Sequence, residues 1–170
     1  MYGDGTYSLF GAGITPKDIF QGSIGNCWLM SAISAIAEKP ERIENMFLNT
    51  SNTIEPKGVY GVNMYALGVP TTIVVDDFLP MSESDGNYST PFAPVSDDKG
   101  VWGTILEKAF AKFYGNYFHI EAGSPTLAVR TLLGGPWEEY MHMDWWGNTV
   151  TEVEDLWALL KTHDLNNEII

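Results

Sequence analysis

Positive charge is scarce in this chain, and cysteine scarcer still. Nine Lys and Arg stand against 22 Asp and Glu, for a net charge of −13. Such a surface repels phosphate backbones and anionic headgroups, which argues against nucleic-acid and membrane-surface partners. The single cysteine, Cys27, excludes an internal disulfide. No apolar run approaches the roughly 20 residues of a membrane-spanning helix. The opening Met1-Tyr2-Gly3-Asp4 lacks the basic and apolar regions of a secretory signal. These features point to a reducing, cytoplasmic setting, in which the sequons at Asn49-Thr50-Ser51 and Asn87-Tyr88-Ser89 are chance matches.

What the chain does contain is enough apolar material for a core. Its 170 residues are 45% hydrophobic and 13% aromatic, the composition of a globular protein rather than a disordered one. Residues 1–26, rich in Gly and polar groups, read as an irregular arm. From Cys27 to Lys39 apolar residues recur at three- and four-residue spacing (Trp28, Leu29, Ala32, Ile33, Ile36), which predicts a helix ended by Pro40. A short second helix carries Ile43, Met46 and Phe47 on one face.

Val59–Leu67 and Thr71–Asp76 read as strands joined at Gly68-Val69-Pro70, and residues 80–100 as a long loop. Trp102, Ile105, Leu106, Ala109, Phe110 and Phe113 form the stripe of an amphipathic helix. Ser124-Pro125 opens a further helix that Gly134-Gly135-Pro136 stops. Thr151 and Glu154 have the spacing of a capping box for a last helix through about Lys161, and 137–170 has strand-then-helix character. The expected class is α+β, with a helix-rich lobe over 1–136 and a second unit starting at 137.

One stretch carries chemistry: Gln21-Gly22-Ser23-Ile24-Gly25-Asn26-Cys27-Trp28. A free thiol is only about 3% ionised at pH 7, and the thiolate is the nucleophile. A cysteine in the first turn of a helix faces the positive end of the helix dipole and unpaired backbone amides. Those amides can bind the oxyanion formed when sulfur attacks a carbonyl. Gln21 could add a side-chain donor, Gly22 and Gly25 would permit close approach in the loop, and Trp28 would wall the site. Taken alone, a cysteine at a helix start is more often a buried small hydrophobe. The Gln-x5-Cys-Trp pattern with two glycines shifts the reading toward catalysis.

The pattern Gln-Gly-x-x-Gly-x-Cys-Trp resembles the active-site motif of the calpain family of cysteine endopeptidases. Val74-Val75-Asp76-Asp77-Phe78-Leu79-Pro80 and Trp102-Gly103-Thr104-Ile105-Leu106-Glu107-Lys108-Ala109-Phe110-Ala111-Lys112 are similar, in the same order, to that family's following strand and helix. Gly134-Gly135 matches the double glycine ahead of the inter-lobe strand. The resemblance spans about residues 11–161 and implies the papain-like N-terminal lobe of a thiol protease. By it, Cys27 is the nucleophile, Gln21 the oxyanion donor, and Trp28 and Gly123 contact substrate. Two positions depart from the family: Ala122 replaces a glycine, and Asn26 stands where Asp is common.

The resemblance also implies calcium, held by the carbonyls of Gly11 and Gly13 and by the Asp18 carboxylate, all hard oxygen ligands. The family's second carboxylate position is Gly100 here, with Asp97 and Asp98 close by in sequence. A general base is needed as well. The family draws its His and Asn from a second lobe, in Gly-His-Ala-Tyr-like and Asn-Pro-Trp-Gly-like segments absent from these 170 residues. His119, His142 and His163 sit in no matching motif and read as locally satisfied. The implied function is a calpain-like endopeptidase acting on protein or peptide substrates, of which this chain is one incomplete part, weakly active alone. The alternative is a non-catalytic binding module.

Overall fold

The computed structural model describes residues 7–49, 51–84, 86–166 and 168–169. The chain separates into two compact units, residues 1–135 and 136–170.

In the first unit a helix, α1 (Cys27–Ile36), buries Trp28, Leu29, Met30, Ala32, Ile33 and Ile36. It ends three residues short of the expected Lys39. The residue before a proline is driven out of the helical region, and Lys39 is accordingly extended, with φ −114° and ψ 97°. Pro40 does not merely end a helix. It is the first residue of α2 (Pro40–Glu44), where its missing N–H costs nothing. Met46 and Phe47 lie beyond α2 but are buried, and Phe47 bridges to Val62.

β1 (Val59–Ala66) and β2 (Val69–Asp76) pair antiparallel, from Val59 opposite Asp76 to Ala66 opposite Val69. The connection is tighter than the sequence implied. Only Leu67 and Gly68 lie in the turn, both at positive φ (51° and 84°), as a two-residue hairpin whose twist matches its strands requires. Two three-residue strands, β3 (Ser82–Ser84) and β4 (Asn87–Ser89), interrupt the expected long loop.

α3 (Trp102–Phe113) is the centre of the unit. Every residue from Trp102 to Glu107 is buried, as are Ala109, Phe110 and Ala111. Its two lysines clasp β2: Lys108 Nζ donates to the Asp76 carboxylate, the Asp76 carbonyl (2.9 Å) and the Phe78 carbonyl (2.6 Å), and Lys112 Nζ to the Val74 carbonyl (2.6 Å). The hydrogen bond from Lys108 holds the Asp76 carboxyl below its ordinary value. α4 (Pro125–Leu133) packs against α1 and β1. It closes at Gly134, whose φ of 70° suits glycine and whose Cα lies so close to the Tyr65 ring that a Cβ would fall 2.4 Å from it.

Among its described residues the second unit has one helix, α5 (Val153–Leu165). In place of the anticipated strand there is a single bridge, Met143 to Thr149, around a turn at Asp144–Gly147. The capping box does not form: the helix starts after Glu152, which is extended, and no side chain caps it.

Candidate active site

Cys27 is the first residue of α1 and is exposed, the opposite of the buried hydrophobe that a lone cysteine often is. The first helical hydrogen bonds come from Leu29 and Met30, both to the Asn26 carbonyl (2.9 and 3.1 Å). Among the described residues the amides of Cys27 and Trp28 meet no acceptor, so the helix presents free donors beside the sulfur.

The loop before Cys27 is seated on backbone. A Cβ on Gly22 would fall 2.4 Å from the carbonyl oxygens of both Pro91 and Phe92, and Ser23 N–H donates to the Pro91 carbonyl at 2.7 Å. Gly22 is therefore required by close approach. Gly25 is not: a Cβ there meets nothing within 4 Å, and its φ is not positive. The expectation that both glycines serve the same end holds for Gly22 alone. Gln21 is exposed, and its Nε2 donates to the Ile24 carbonyl at 2.7 Å. That bond uses one of the two amide hydrogens and leaves the other for a ligand.

Trp28 is buried, its Nε1 donates to the Ile120 carbonyl at 3.0 Å, and its ring meets Phe110 edge-on at 5.7 Å. Gly123 lies directly on the Trp28 indole, with a Cβ position only 2.5 Å from the ring. The two positions singled out for substrate contact are thus neighbours, and only glycine fits at 123.

Behind the cysteine lies a buried polar group that the sequence did not reveal. Asn26 Nδ2 donates to Glu107 Oε1 at 2.7 Å, and Ala93 N–H donates to Glu107 Oε2 at 2.9 Å. Burial pushes the Glu107 carboxyl above its ordinary range, and the hydrogen bonds from Ala93 and Asn26 offset only part of that. Nearby, Phe92 stacks on Tyr117 at 3.6 Å. Burial, reinforced by the Glu107 and Asp76 carboxylates, pushes the Tyr117 phenol far up.

The three histidines are engaged elsewhere. The Nδ1 atoms of His119, His142 and His163 contact the Tyr114 carbonyl (2.9 Å), the Thr151 carbonyl (2.9 Å) and Glu168 Oε2 (2.6 Å). Among the described residues of its own unit, Cys27 has no hydrogen bond or ion pair with His119.

The Gly11–Asp18 arm meets the loop before α3. Ala12, Gly13, Asp18, Asp97 and Asp98 line one open hollow, together with Lys17. Asp98 Oδ2 accepts from Ala12 N–H at 2.7 Å, and its Oδ1 is engaged by Ser96 Oγ and by Gly100 N–H (3.2 Å). Burial opposes the charge on Asp98, but these donors prevail and hold its carboxyl below the ordinary value. Asp18 Oδ2 accepts from Thr15 N–H at 2.7 Å, and Asn52 Nδ2 donates to the Gly11 carbonyl at 2.9 Å. A Cβ at Gly100 would meet Ser96 Oγ at 2.9 Å and Gly11 N at 3.0 Å, so this packing has no room for a carboxylate there. The oxygen donors suit a hard cation, but among the described residues no three of Asp, Glu, His or Cys converge to hold a metal.

An exposed thiol at a helix start, free amides beside it and a glutamine held in the same loop are the groups that acyl transfer through sulfur would use. A family model described as calpain family cysteine protease matches residues 4–170, and the chain belongs to that family. It is 35% identical over 131 residues to a calpain-type cysteine protease of Zea mays, covering 77% of this chain and 6% of the relative. It is 30% identical over 129 residues to the calpain of Schistosoma mansoni, covering 75% of this chain and 17% of the relative. To the calpain-2 catalytic subunit of Homo sapiens it is 31% identical over 129 residues, covering 75% and 18%. The chain thus spans less than a fifth of these relatives. No described helix is long and apolar enough to cross a membrane.

Proposed function

We propose that this chain supplies the nucleophile lobe of a cysteine endopeptidase, with Cys27 as the attacking group and protein or peptide chains as substrate. The carrying observation is the exposed Cys27 thiol at the start of α1, beside unengaged amides and the oriented Gln21 amide. The thiolate attacks the carbonyl carbon, and the carbonyl electron pair moves to oxygen. That oxyanion is met by the second Gln21 hydrogen and a helix-start amide. The C–N bond then breaks, the amine leaves with a proton, and water hydrolyses the acyl thioester. Trp28 and Gly123 form the wall along which the substrate backbone lies.

The proton must come from a histidine oriented by an asparagine. Residues 137–170 are read as the beginning of the second lobe that bears this pair. The exposed apolar side chains of that segment support this reading, as does the local engagement of all three histidines. The unpaired thiol fits a reducing compartment such as the cytosol. Calcium, by the same reading, binds the Gly11, Gly13 and Asp18 arm only weakly. Gly100 offers no carboxylate, and Asp98 is already committed to amide donors.

The test is hydrolysis of a fluorogenic peptide by this chain, alone and fused to the His- and Asn-bearing lobe of a relative. The fusion should turn over, lose activity on Cys27→Ala, and exceed the chain alone by about 10²–10⁴-fold or more, the usual worth of acid–base catalysis. Robust hydrolysis by the chain alone, or by the Cys27→Ala fusion, overturns the proposal. A fusion that binds peptide without cutting it favours a non-catalytic binding module.

A further inference from the structure

We propose that Glu107 is a positioning residue that fixes the nucleophile and the oxyanion donor relative to one another, an inference that rests on the reading of Cys27 and Gln21 given above. A carboxyl with no exposed surface, in the middle of the most buried helix, is costly and needs partners. Glu107 has two, and each leads to a different half of the site. Its Oε1 holds the side chain of Asn26, the residue whose carbonyl accepts the first two hydrogen bonds of α1 and which immediately precedes Cys27. Asn26 is itself fully buried and does not cap its helix with its side chain, which is turned toward Glu107 instead.

The other oxygen, Oε2, holds the amide of Ala93. The loop it anchors is the seat of the Gln21 segment: Pro91 accepts from Ser23, and the carbonyls of Pro91 and Phe92 press on Gly22. Stacking of Phe92 on Tyr117 holds that loop from its far side. One side chain on α3 therefore joins the start of the nucleophile helix to the strut beneath Gln21.

The contact predicts an exchange. In the Asn26→Asp, Glu107→Gln double variant, the new amide side chain on α3 accepts from Ala93 through its carbonyl and donates through its nitrogen to the carboxylate introduced before Cys27. Both links are restored, the one between 107 and 26 with its polarity reversed. Glu107→Gln alone can accept from only one of the two donors, Asn26 or Ala93, so one link is lost. The readout compares two reactions of Cys27 in the full chain. Acylation by a p-nitrophenyl ester forms a C–S bond, expels p-nitrophenolate and develops an oxyanion. Alkylation by iodoacetamide displaces iodide and develops none.

Glu107→Gln and Glu107→Leu should each lower the acylation rate about 10-fold or more, as misplacement by an ångström does, and change alkylation by no more than about 3-fold. The double variant should bring acylation back to within about 3-fold of the native chain. Gln21→Ala serves as the control for the underlying reading, since loss of one oxyanion donor costs about 10²–10³-fold in acyl transfer. If Gln21→Ala lowers acylation but the Glu107 variants do not, or if the double variant fails to recover what Glu107→Gln loses, the positioning role is wrong. If Gln21→Ala leaves acylation unchanged, Gln21 is not the donor. Should Glu107→Leu fail to fold, the nearly isosteric Glu107→Gln and double variants still decide.

Discussion

The two units use their aromatic residues in opposite ways. In the first, Trp28, Trp102 and Phe110 are buried, and the Trp28 ring meets Phe110 edge-on. In the second, Trp145 is 91% exposed, Trp146 85% and Trp157 60%, and no described residue from 136 on is buried. The first unit holds Cys27 on a scaffold with its own core. The second has helix and turn without a core, and local hydrogen bonds such as those Asp144 accepts from Trp146 and Asn148 are what organise it. Packing an apolar face, not helix propensity, supplies most helix stability. The contrast therefore says where rigidity resides: around Cys27.

The most direct way to break this comparison is a pair of truncations. Phe110→Ala should destabilise the chain by about 3–5 kcal/mol, the usual result of emptying a fully packed aromatic site. Trp157→Ala should alter stability by no more than about 0.5 kcal/mol, as exposed positions generally do. Denaturant unfolding followed by far-UV circular dichroism measures both, and equal losses would mean that the second unit has a core after all.

A finer contrast lies within the cysteine loop. Gly22→Ala drives a methyl into main-chain carbonyls that have no rotamer to retreat to, and should destabilise by about 1–3 kcal/mol. Gly25→Ala faces open space at an ordinary φ, and should range from neutral to a gain of about 0.4–1 kcal/mol. Thermal melts of the two variants separate these outcomes.

The smallest effect concerns the arm. Asp98→Asn gives up hydrogen bonds to a charged acceptor and should lose about 0.5–1.5 kcal/mol near neutral pH. Because the Asp98 carboxyl is held below its ordinary value of 3.8, its contribution is present above that pH and disappears as pH falls through the lowered value. Native and variant melting temperatures should converge in acid. Calcium should raise the native melting temperature only slightly, and a large rise would show a tight site on the arm.

Much of this was legible in the sequence because it is local. The α3 stripe, the β hairpin and the Pro125–Leu133 helix follow from periodicity and turn residues within a few positions. Cys27, Gln21 and Trp28 lie in one eight-residue stretch. What could not be read is what long-range contact decides. Asn26 and Glu107 are 81 residues apart, and Ala12 and Asp98 are 86 apart. Glu107 was hidden for a further reason: an amphipathic stripe implies a solvent face opposite, and α3 has almost none. The usable signal was the small residues Gly103, Ala109 and Ala111 around Glu107, which mark a helix packed on several sides. The capping box failed because its spacing matched and its geometry did not.

The seat beneath Gln21 is made by main-chain atoms on both sides, carbonyls of Pro91 and Phe92 against the Cα of Gly22. Main-chain contacts are indifferent to side-chain identity. Position 91 can therefore change its residue during divergence, provided the new one keeps the same backbone path, without displacing the loop that carries Gln21. The site thus keeps its geometry in one set of atoms and leaves a different set free to vary.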